Sequence, residues 1–195
     1  MKKLVYIFML LLAMVWIGTS CQNTKPVEST SADSDTVIIE EVDSTVYGVC
    51  GEGTAMHTLE LVTDGGDTLF YSLTSFPETE EGDGDEVAAE VRGGMMVGDR
   101  MAVKGHTSSE GLIAEKVINL TTLLGKWTSL DKNFEIVEGG FVKSNVEAES
   151  NPWVSWKILN GKLLLNTDTF DIVELGADSL YIENSKGIFV YKRLQ

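Results

Sequence analysis

The segment WKILNGKLLLN, residues 156–166, is the most informative part of the sequence for the fold. Two runs rich in apolar and aromatic residues, 154–159 and 162–166, flank Asn160-Gly161. Asn-Gly is the strongest short signal for a tight β-hairpin, because both central residues of a type I′ turn need a positive φ. The segment therefore predicts two antiparallel strands joined by a two-residue turn.

The same pattern continues on both sides of this hairpin. Residues 121–195 contain eight short strand-like runs, most of them joined by tight turns. They are 124–127, 134–137, 141–143, 154–159, 162–166, 170–175, 180–183 and 188–193. An up-and-down meander of this kind closes on itself, since closure removes unpaired sheet edges. We expect an eight-stranded antiparallel barrel.

Residues 44–120 carry a separate set of strand signals. They predict one strand, a hairpin around Gly65-Gly66, and two further strands. The runs are 45–51, 55–62, 68–73, 100–104 and 111–120. The interval 86–96 breaks this pattern, and we expect a short helix or a loop there. Gly98-Asp99 before a strand, Gly105 after it and the run IAEKV (113–117) resemble small exported OB-type barrels.

Four features stand out in the last 75 residues: Gly125-x-Trp127, the WKILNGKL segment, the DSLYI run (178–182) and the closing Tyr191-Lys-Arg193. Together they resemble the lipocalin-like domains of Bacteroidota lipoproteins. This resemblance implies that Gly125, Trp127 and Arg193 pack at the closed end of the barrel. The resemblance places the Arg193 guanidinium on the Trp127 ring, a cation–π contact worth roughly 0.5–2 kcal/mol. The predicted fold is all-β: an OB-like five-stranded barrel (44–120) followed by a lipocalin-like eight-stranded barrel (121–195).

The start of the chain has the layout of an export signal. Lys2 and Lys3 precede an uncharged run at 4–17, small residues at 18–20, and then Cys21. This order resembles the bacterial lipoprotein signal. It implies that residues 1–20 are removed and that Cys21 is acylated, for example with palmitate. The apolar run is shorter than the roughly 18–20 residues of a spanning helix. An uncleaved membrane anchor is the alternative.

Residues 21–43 are predicted to be a flexible linker, because they contain too few apolar residues to form a core. Asp35-Thr36-Val37 and Asp43-Ser44-Thr45 resemble O-glycosylation sites of Bacteroidota, which makes glycosylation of the linker an open alternative. Glu28 is the first acidic residue after Cys21. In that group, export to the cell surface follows acidic residues soon after the acylated Cys. By the same resemblance, we expect the protein to be anchored in the outer membrane and to face the periplasm, with the cell surface as the alternative.

Charge and cysteine content exclude several classes of protein. The 195 residues include 30 Asp and Glu against 15 Lys and Arg, a net charge of −15. Phosphate recognition needs clustered cations, so a nucleic-acid partner is not expected. With Cys21 acylated, Cys50 has no partner for an intramolecular disulfide. We expect it to be buried and inert.

Catalytic and metal-binding motifs are absent from the sequence. It has no G-x-S-x-G, no His-Glu-x-x-His and no phosphate-binding loop, so we expect no enzyme, no cofactor and no metal. His57 is predicted on the apolar face of its strand with Leu59 and Leu61, and His106 has no catalytic partner. The acidic loop at 78–86 is expected to be solvated, with Ca²⁺ binding as the alternative.

Aromatic residues of the second barrel are the candidate ligand-binding residues. Trp156, Phe170 and Tyr191 either pack as core or line a pocket for a small apolar or glycan ligand. The sequence thus predicts a non-enzymatic, lipid-anchored binding module of the cell envelope. The alternative is a scaffold that binds another envelope protein through an exposed apolar patch around Trp153 or Phe76. A third hypothesis, an envelope hydrolase, lacks a nucleophile motif.

Overall fold

Two β-sheets, each rolled into a barrel, make up the computed structural model of this chain. The structure describes residues 42–76, 85–145 and 150–194. These residues are almost entirely strands and turns, so the predicted all-β fold with a five-stranded and an eight-stranded barrel is confirmed. Cys21, the linker up to residue 41 and residues 78–84 of the acidic loop lie outside the described residues.

The first barrel contains five strands that close into a ring. The strands are β1 (Val46–Cys50), β2 (Thr58–Thr63), β3 (Thr68–Ser72), β7 (Arg100–Ser108) and β8 (Gly111–Asn119). They are hydrogen-bonded in the order β3-β2-β1-β7-β8, and a parallel pairing of β3 with β8 completes the closure. The remaining pairs are antiparallel.

The predicted helix or loop at 86–96 is wrong, because short strands occupy part of this interval. They are β4 (Thr74–Ser75), which pairs with β5 (Val87–Ala88), and β6 (Glu90–Arg92). Strand β6 runs parallel to β8, with Val91 opposite Val117. The physical reason is tertiary: β8 has a free edge beyond its pairing with β3, and Val91 packs against the first core there.

The second barrel is an antiparallel meander. Its strands are β9 (Gly125–Thr128), β10 (Asn133–Val137), β11 (Phe141–Ser144), β12 (Trp156–Leu159), β13 (Lys162–Leu165), β14 (Asp168–Leu175), β15 (Ser179–Asn184) and β16 (Gly187–Arg193). The order is β11-β10-β9-β16-β15-β14-β13-β12. A single bridge between Phe141 and Ser155 joins the two outer strands, so the barrel is nearly closed.

Asn160-Gly161 forms the turn that the sequence predicts. Strands β12 and β13 pair in register from Trp156↔Leu165 to Leu159↔Lys162. The φ angles of Asn160 and Gly161 are 48° and 77°. Both are in the left-handed region that a type I′ turn requires, which confirms the hairpin.

The two ends of the second barrel differ. In an up-and-down meander the turns alternate between ends. We call the end with the turns at 138–140, 160–161 and 176–178 the closed end, and the end with the turns at 129–132, 166–167 and 185–186 the mouth.

The closed end of the second barrel packs against the first barrel. The Tyr47 hydroxyl donates to the carbonyl of Ile158 at 2.7 Å, and Arg92 Nε donates to the carbonyl of Ile172 at 2.9 Å. The backbone N–H of Asn160 donates to Thr45 Oγ1 at 2.8 Å. Burial is the main cause that raises the pKa of Tyr47. These bonds join residues that are over 75 positions apart in sequence.

The apolar core is continuous across this junction. Ala102, Ile118, Leu120 and Leu123 belong to the first barrel and its connection, yet they pack in the same cluster as the second-barrel core. A one-turn helix α1 (Leu120–Leu123) makes the connection, and Asn119 caps its N-terminus. Cys50 lies in the separate first core and is 1% exposed, so the prediction that it is buried is confirmed. Within the described ranges, no helix has the length and apolar character needed to cross a membrane.

Candidate functional site

Trp127 and Arg193 form the centre of the closed end. The Arg193 guanidinium carbon lies 4.2 Å from the centroid of the Trp127 ring. The Trp127 indole N–H donates to the carbonyl of Leu123 at 2.9 Å, and the side chain is fully buried. This end therefore has a structural role, as the resemblance implies.

Gly125 leaves the space that the guanidinium occupies. Its φ is 130°, and a Cβ at this position would collide with Arg193 Nη1. Arg193 donates to the carbonyls of Leu124 (2.8 Å), Thr122 and Ala177. Burial lowers the pKa of the guanidinium, and the nearby Asp178 opposes that shift. The Gly-x-Trp motif thus has a direct steric explanation.

The interior of the second barrel is filled by side chains rather than open. Aliphatic residues fill it towards the closed end, among them Ile136, Ile158, Leu163 and Ile172. Aromatic rings in edge-to-face contact fill it towards the mouth. The ring centroids are 5.1 Å apart for Phe134–Trp153, 5.0 Å for Phe134–Tyr191, 5.8 Å for Trp153–Phe170 and 5.9 Å for Phe170–Phe189. A ligand cannot pass through this packed interior.

A cavity of about 830 Å³ lies at the mouth, above the aromatic rings. It is lined by Thr128, Ser129, Leu130, Asp131, Lys132, Asn151, Trp153, Asp168, Phe170, Asn184, Lys186, Ile188, Phe189, Val190, Tyr191 and Lys192. Most of its surface is apolar. It is the candidate functional site of the described residues.

The cavity exists because β9 is shorter than β16. Strand β9 ends at Thr128, and its pairing with β16 covers only Lys192 and Arg193. Leu194 N–H donates to the Lys126 carbonyl, so alternate residues of β16 point their backbone groups towards β9. The backbone groups of Ile188 and Val190 therefore face the cavity without a strand opposite them.

The rim of the cavity combines exposed apolar side chains with charges. Leu130 is fully exposed, and Ile188 and Val190 are 59% and 46% exposed. Lys132 Nζ lies 4.1 Å from the centroid of the Trp153 ring, a cation–π contact. Lys186 Nζ is 3.9 Å from Asp168 Oδ1.

Two of the three predicted ligand-binding residues border this cavity. Phe170 and Tyr191 are 3% and 2% exposed and form part of its floor. Trp156 does not border it: its indole N–H donates to the Val137 carbonyl at 2.8 Å, near the seam between β11 and β12. Trp156 thus closes the barrel wall.

The prediction of an exposed patch around Trp153 is wrong. Trp153 is 8% exposed and packs between Phe134 and Phe170. It precedes β12, so strand alternation carried no information about its direction. Phe76 is 65% exposed. The sequence also gave no indication that Leu130 and Lys132 border a cavity, because both lie in a turn, where strand alternation does not predict the direction of a side chain.

The histidines considered in the sequence analysis, His57 and His106, do not form a second candidate site in the described part of the chain. His57 is exposed in the turn before β2, so its predicted place on the apolar face is wrong, because the strand begins one residue later. His106 Nδ1 lies 2.8 Å from Glu115 Oε1 on the surface. Lys104 and His106 lower the pKa of Glu115. Among the residues that the structure describes, no cluster of His, Cys, Asp or Glu is arranged to hold a metal ion.

Comparison of this chain with protein-family models, curated proteins and solved structures finds no match.

Proposed function

We propose that this chain is a lipid-anchored protein of the cell envelope, and that the mouth of its second barrel binds a small apolar ligand without catalysing a reaction. The observation that carries the proposal is the cavity of about 830 Å³ over an aromatic floor. Ligand-binding pockets are typically about 300–1,000 Å³ and mostly apolar. The cavity fits that description.

Apolar rather than glycan chemistry suits this cavity. Its floor includes the rings of Phe170, Tyr191 and Trp153, and Lys132 Nζ contacts the Trp153 ring. Sugars need several hydrogen-bonding groups directed at their hydroxyls, whereas the surface here is mainly apolar. A ligand would cover Leu130 and Ile188, and burial of their exposed surface would stabilise the complex by about 25 cal/mol per Å².

We propose anchoring through Cys21 because the basic start of the chain, the uncharged run at 4–17 and the small residues before Cys21 resemble a lipoprotein signal. We propose the outer membrane, facing the periplasm, as the location.

The first test is binding of the neutral apolar dye Nile red to the folded protein. We expect saturable binding with a stoichiometry of one. The double variant Leu130→Asp/Ile188→Asp should weaken it by tenfold or more, equivalent to about 1.4 kcal/mol, because two charged groups replace apolar contacts at the rim. Val173→Asp, an exposed change in β14 away from the mouth, should bind like the wild type.

Thermal melts accompany this test, and all three proteins should unfold at similar temperatures because these side chains are exposed. Equal dye affinity in the wild type and the double variant, or no saturable binding to the wild type, would contradict the proposal.

Cys21→Ser tests the anchor. We expect it to abolish metabolic labelling with an alkyne fatty acid and to release the protein from the membrane fraction, since the thiol is the proposed attachment point. The matched control is Cys50→Ala, which changes a buried thiol and should leave labelling intact. Labelling that persists in Cys21→Ser would contradict acylation at this residue, and membrane association without labelling would argue for an uncleaved anchor.

A scaffold is the second candidate function, favoured by the exposed apolar side chains of Leu130, Ile188 and Val190 around the mouth. A photo-crosslinking residue at position 130 distinguishes the two functions in intact envelopes. One specific protein adduct would support the scaffold. Its absence, together with dye binding, would support the small-ligand function.

A further inference from the structure

We propose that Asn160 is a site of spontaneous deamidation, and that residues 42–45 set the rate of this modification by holding its side chain. Asn160 lies in the turn between β12 and β13, at the closed end of the second barrel. The site is therefore separate from the mouth, and its chemistry does not depend on a ligand there. Two observations carry the proposal: the glycine that follows Asn160 and the contacts of the Asn160 amide.

Asn160 is the only asparagine in the sequence that is followed by glycine. Deamidation begins when the backbone nitrogen of Gly161 attacks Cγ of Asn160. The new N–Cγ bond closes a five-membered succinimide ring, the Cγ–Nδ2 bond breaks, and ammonia leaves. Water then opens the ring to aspartate or isoaspartate, so the reaction needs no oxidant or other co-reactant. Glycine favours the attack because it has no side chain to shield its nitrogen.

Residues 42–45 hold Asn160 through both its side chain and its backbone. Asn160 Oδ1 accepts hydrogen bonds from the backbone N–H and the hydroxyl of Ser44, both at 2.8 Å. Its Nδ2 donates to the carbonyl of Val42 at 3.2 Å, and its backbone N–H donates to Thr45 Oγ1 at 2.8 Å. Both ends of the side-chain amide are thus bound by the chain that leads into β1.

These contacts oppose the attack on Cγ. The amide must present one face of its plane to the Gly161 nitrogen, and the bonds to Val42 and Ser44 fix that plane. The backbone cannot compensate, because the type I′ turn holds the φ angles of Asn160 and Gly161 at 48° and 77°. We expect the reaction to proceed only from molecules in which residues 42–45 have locally separated from the turn.

Deamidation would weaken the junction of the two barrels at this turn. Isoaspartate adds one carbon to the main chain of a two-residue turn, which displaces the pairing of Leu159 with Lys162. Aspartate replaces the Nδ2 donor by an oxygen, which faces the Val42 carbonyl and cannot donate to it. Because the loss of ammonia is irreversible, a molecule that has reacted keeps the weaker contact.

Two other asparagines serve as internal references. Asn166 has a φ of 56°, and its Oδ1 accepts from the N–H of Val154, but the branched Thr167 follows it. Asn184 ends β15 near the mouth and is followed by the small Ser185. We expect little deamidation at Asn166, and a rate at Asn184 that does not depend on residues 42–45.

Incubation of the full chain in mildly alkaline buffer, followed by peptide mapping with mass spectrometry, measures deamidation at each asparagine. In the folded wild type we expect Asn160 to react at least about tenfold more slowly than in urea, which corresponds to about 1.4 kcal/mol of local stability. Ser44→Ala/Thr45→Val should speed the reaction of the folded protein about threefold or more, because it removes two of the hydrogen bonds to Asn160.

The matched control is Thr107→Val/Ser108→Ala, which makes the same chemical changes at the end of β7, away from Asn160. It should react at the wild-type rate, and thermal melts check that all variants fold. Anion exchange separates the deamidated form by its added charge. The N–H of Ser44, a donor to Asn160, should exchange with solvent faster in that form.

Three results would overturn the proposal. They are no deamidation at Asn160 in urea, equal rates in the folded wild type and in urea, and a control variant that reacts as fast as Ser44→Ala/Thr45→Val. Equal exchange of the Ser44 N–H in the modified and unmodified forms would refute the weakened junction. None of these results bears on dye binding at the mouth, so the proposed function is tested separately.

Discussion

Trp127→Ala is expected to lower the free energy of unfolding by about 3–5 kcal/mol, the range for removal of a large buried aromatic side chain. Trp127 is completely buried and is the largest of the fully buried side chains. Its loss leaves a cavity beneath Arg193 and removes the hydrogen bond to the Leu123 carbonyl. Urea unfolding followed by far-ultraviolet circular dichroism measures the change.

Trp127→Phe is the matched control, since it keeps an aromatic ring under the guanidinium and should recover part of the loss. A double-mutant cycle with Arg193→Met should give a coupling of about 0.5–2 kcal/mol for the cation–π pair. A loss below about 1 kcal/mol for Trp127→Ala would show that the closed end contributes little to stability.

Asn119→Leu is expected to lower the free energy of unfolding by about 2–4 kcal/mol. Asn119 is 1% exposed, and its side-chain oxygen accepts from the N–H of Thr122 at the start of α1. Its amide nitrogen donates to Asp99 Oδ2 at 2.7 Å and to the carbonyls of Gly93 and Gly94. Leu has a similar size but leaves these groups without partners, and it removes the helix cap.

Asn119→Asp tests the same network through its pH dependence. The introduced carboxylate would face two carbonyls and Asp99, so its pKa in the folded protein should lie above the unfolded value. The variant should therefore be most stable at low pH and lose stability as pH rises through that raised pKa.

Asn145→Asp, at an exposed position, is the matched control and should show much less of this dependence. The measurement is the free energy of unfolding of both variants and the wild type across the acidic pH range. A difference in stability between Asn119→Asp and wild type that does not change with pH would contradict the hydrogen-bond network around Asn119.

Local sequence signals predicted the second barrel well because its turns are short. Asn160-Gly161 specifies its turn through positive φ, and the flanking strands pair without a shift in register. Strand alternation also placed Phe170 and Tyr191 on the inner face, where the structure finds them. Each of these predictions depends on residues within a few positions of one another.

Predictions failed where the partner is distant in sequence. Strand β6 forms only because β8, over twenty residues later, offers an edge. Trp153 lies outside any strand, and contacts with Phe134 and Phe170 determine its burial. The periodicity of apolar residues within one segment cannot predict contacts with residues that are distant in sequence.

Local sequence patterns specify the all-β class and the strand-and-turn pattern of each barrel, because these depend on backbone preferences and side-chain alternation. The expected role of Gly125-x-Trp127 came from the resemblance to lipocalin-like domains. The position of the cavity at the mouth depends on tertiary structure. It arises from the unequal lengths of β9 and β16, two strands that meet only when the barrel closes. The junction of the barrels is likewise tertiary, since Tyr47 and Arg92 donate to carbonyls of strands in the other barrel.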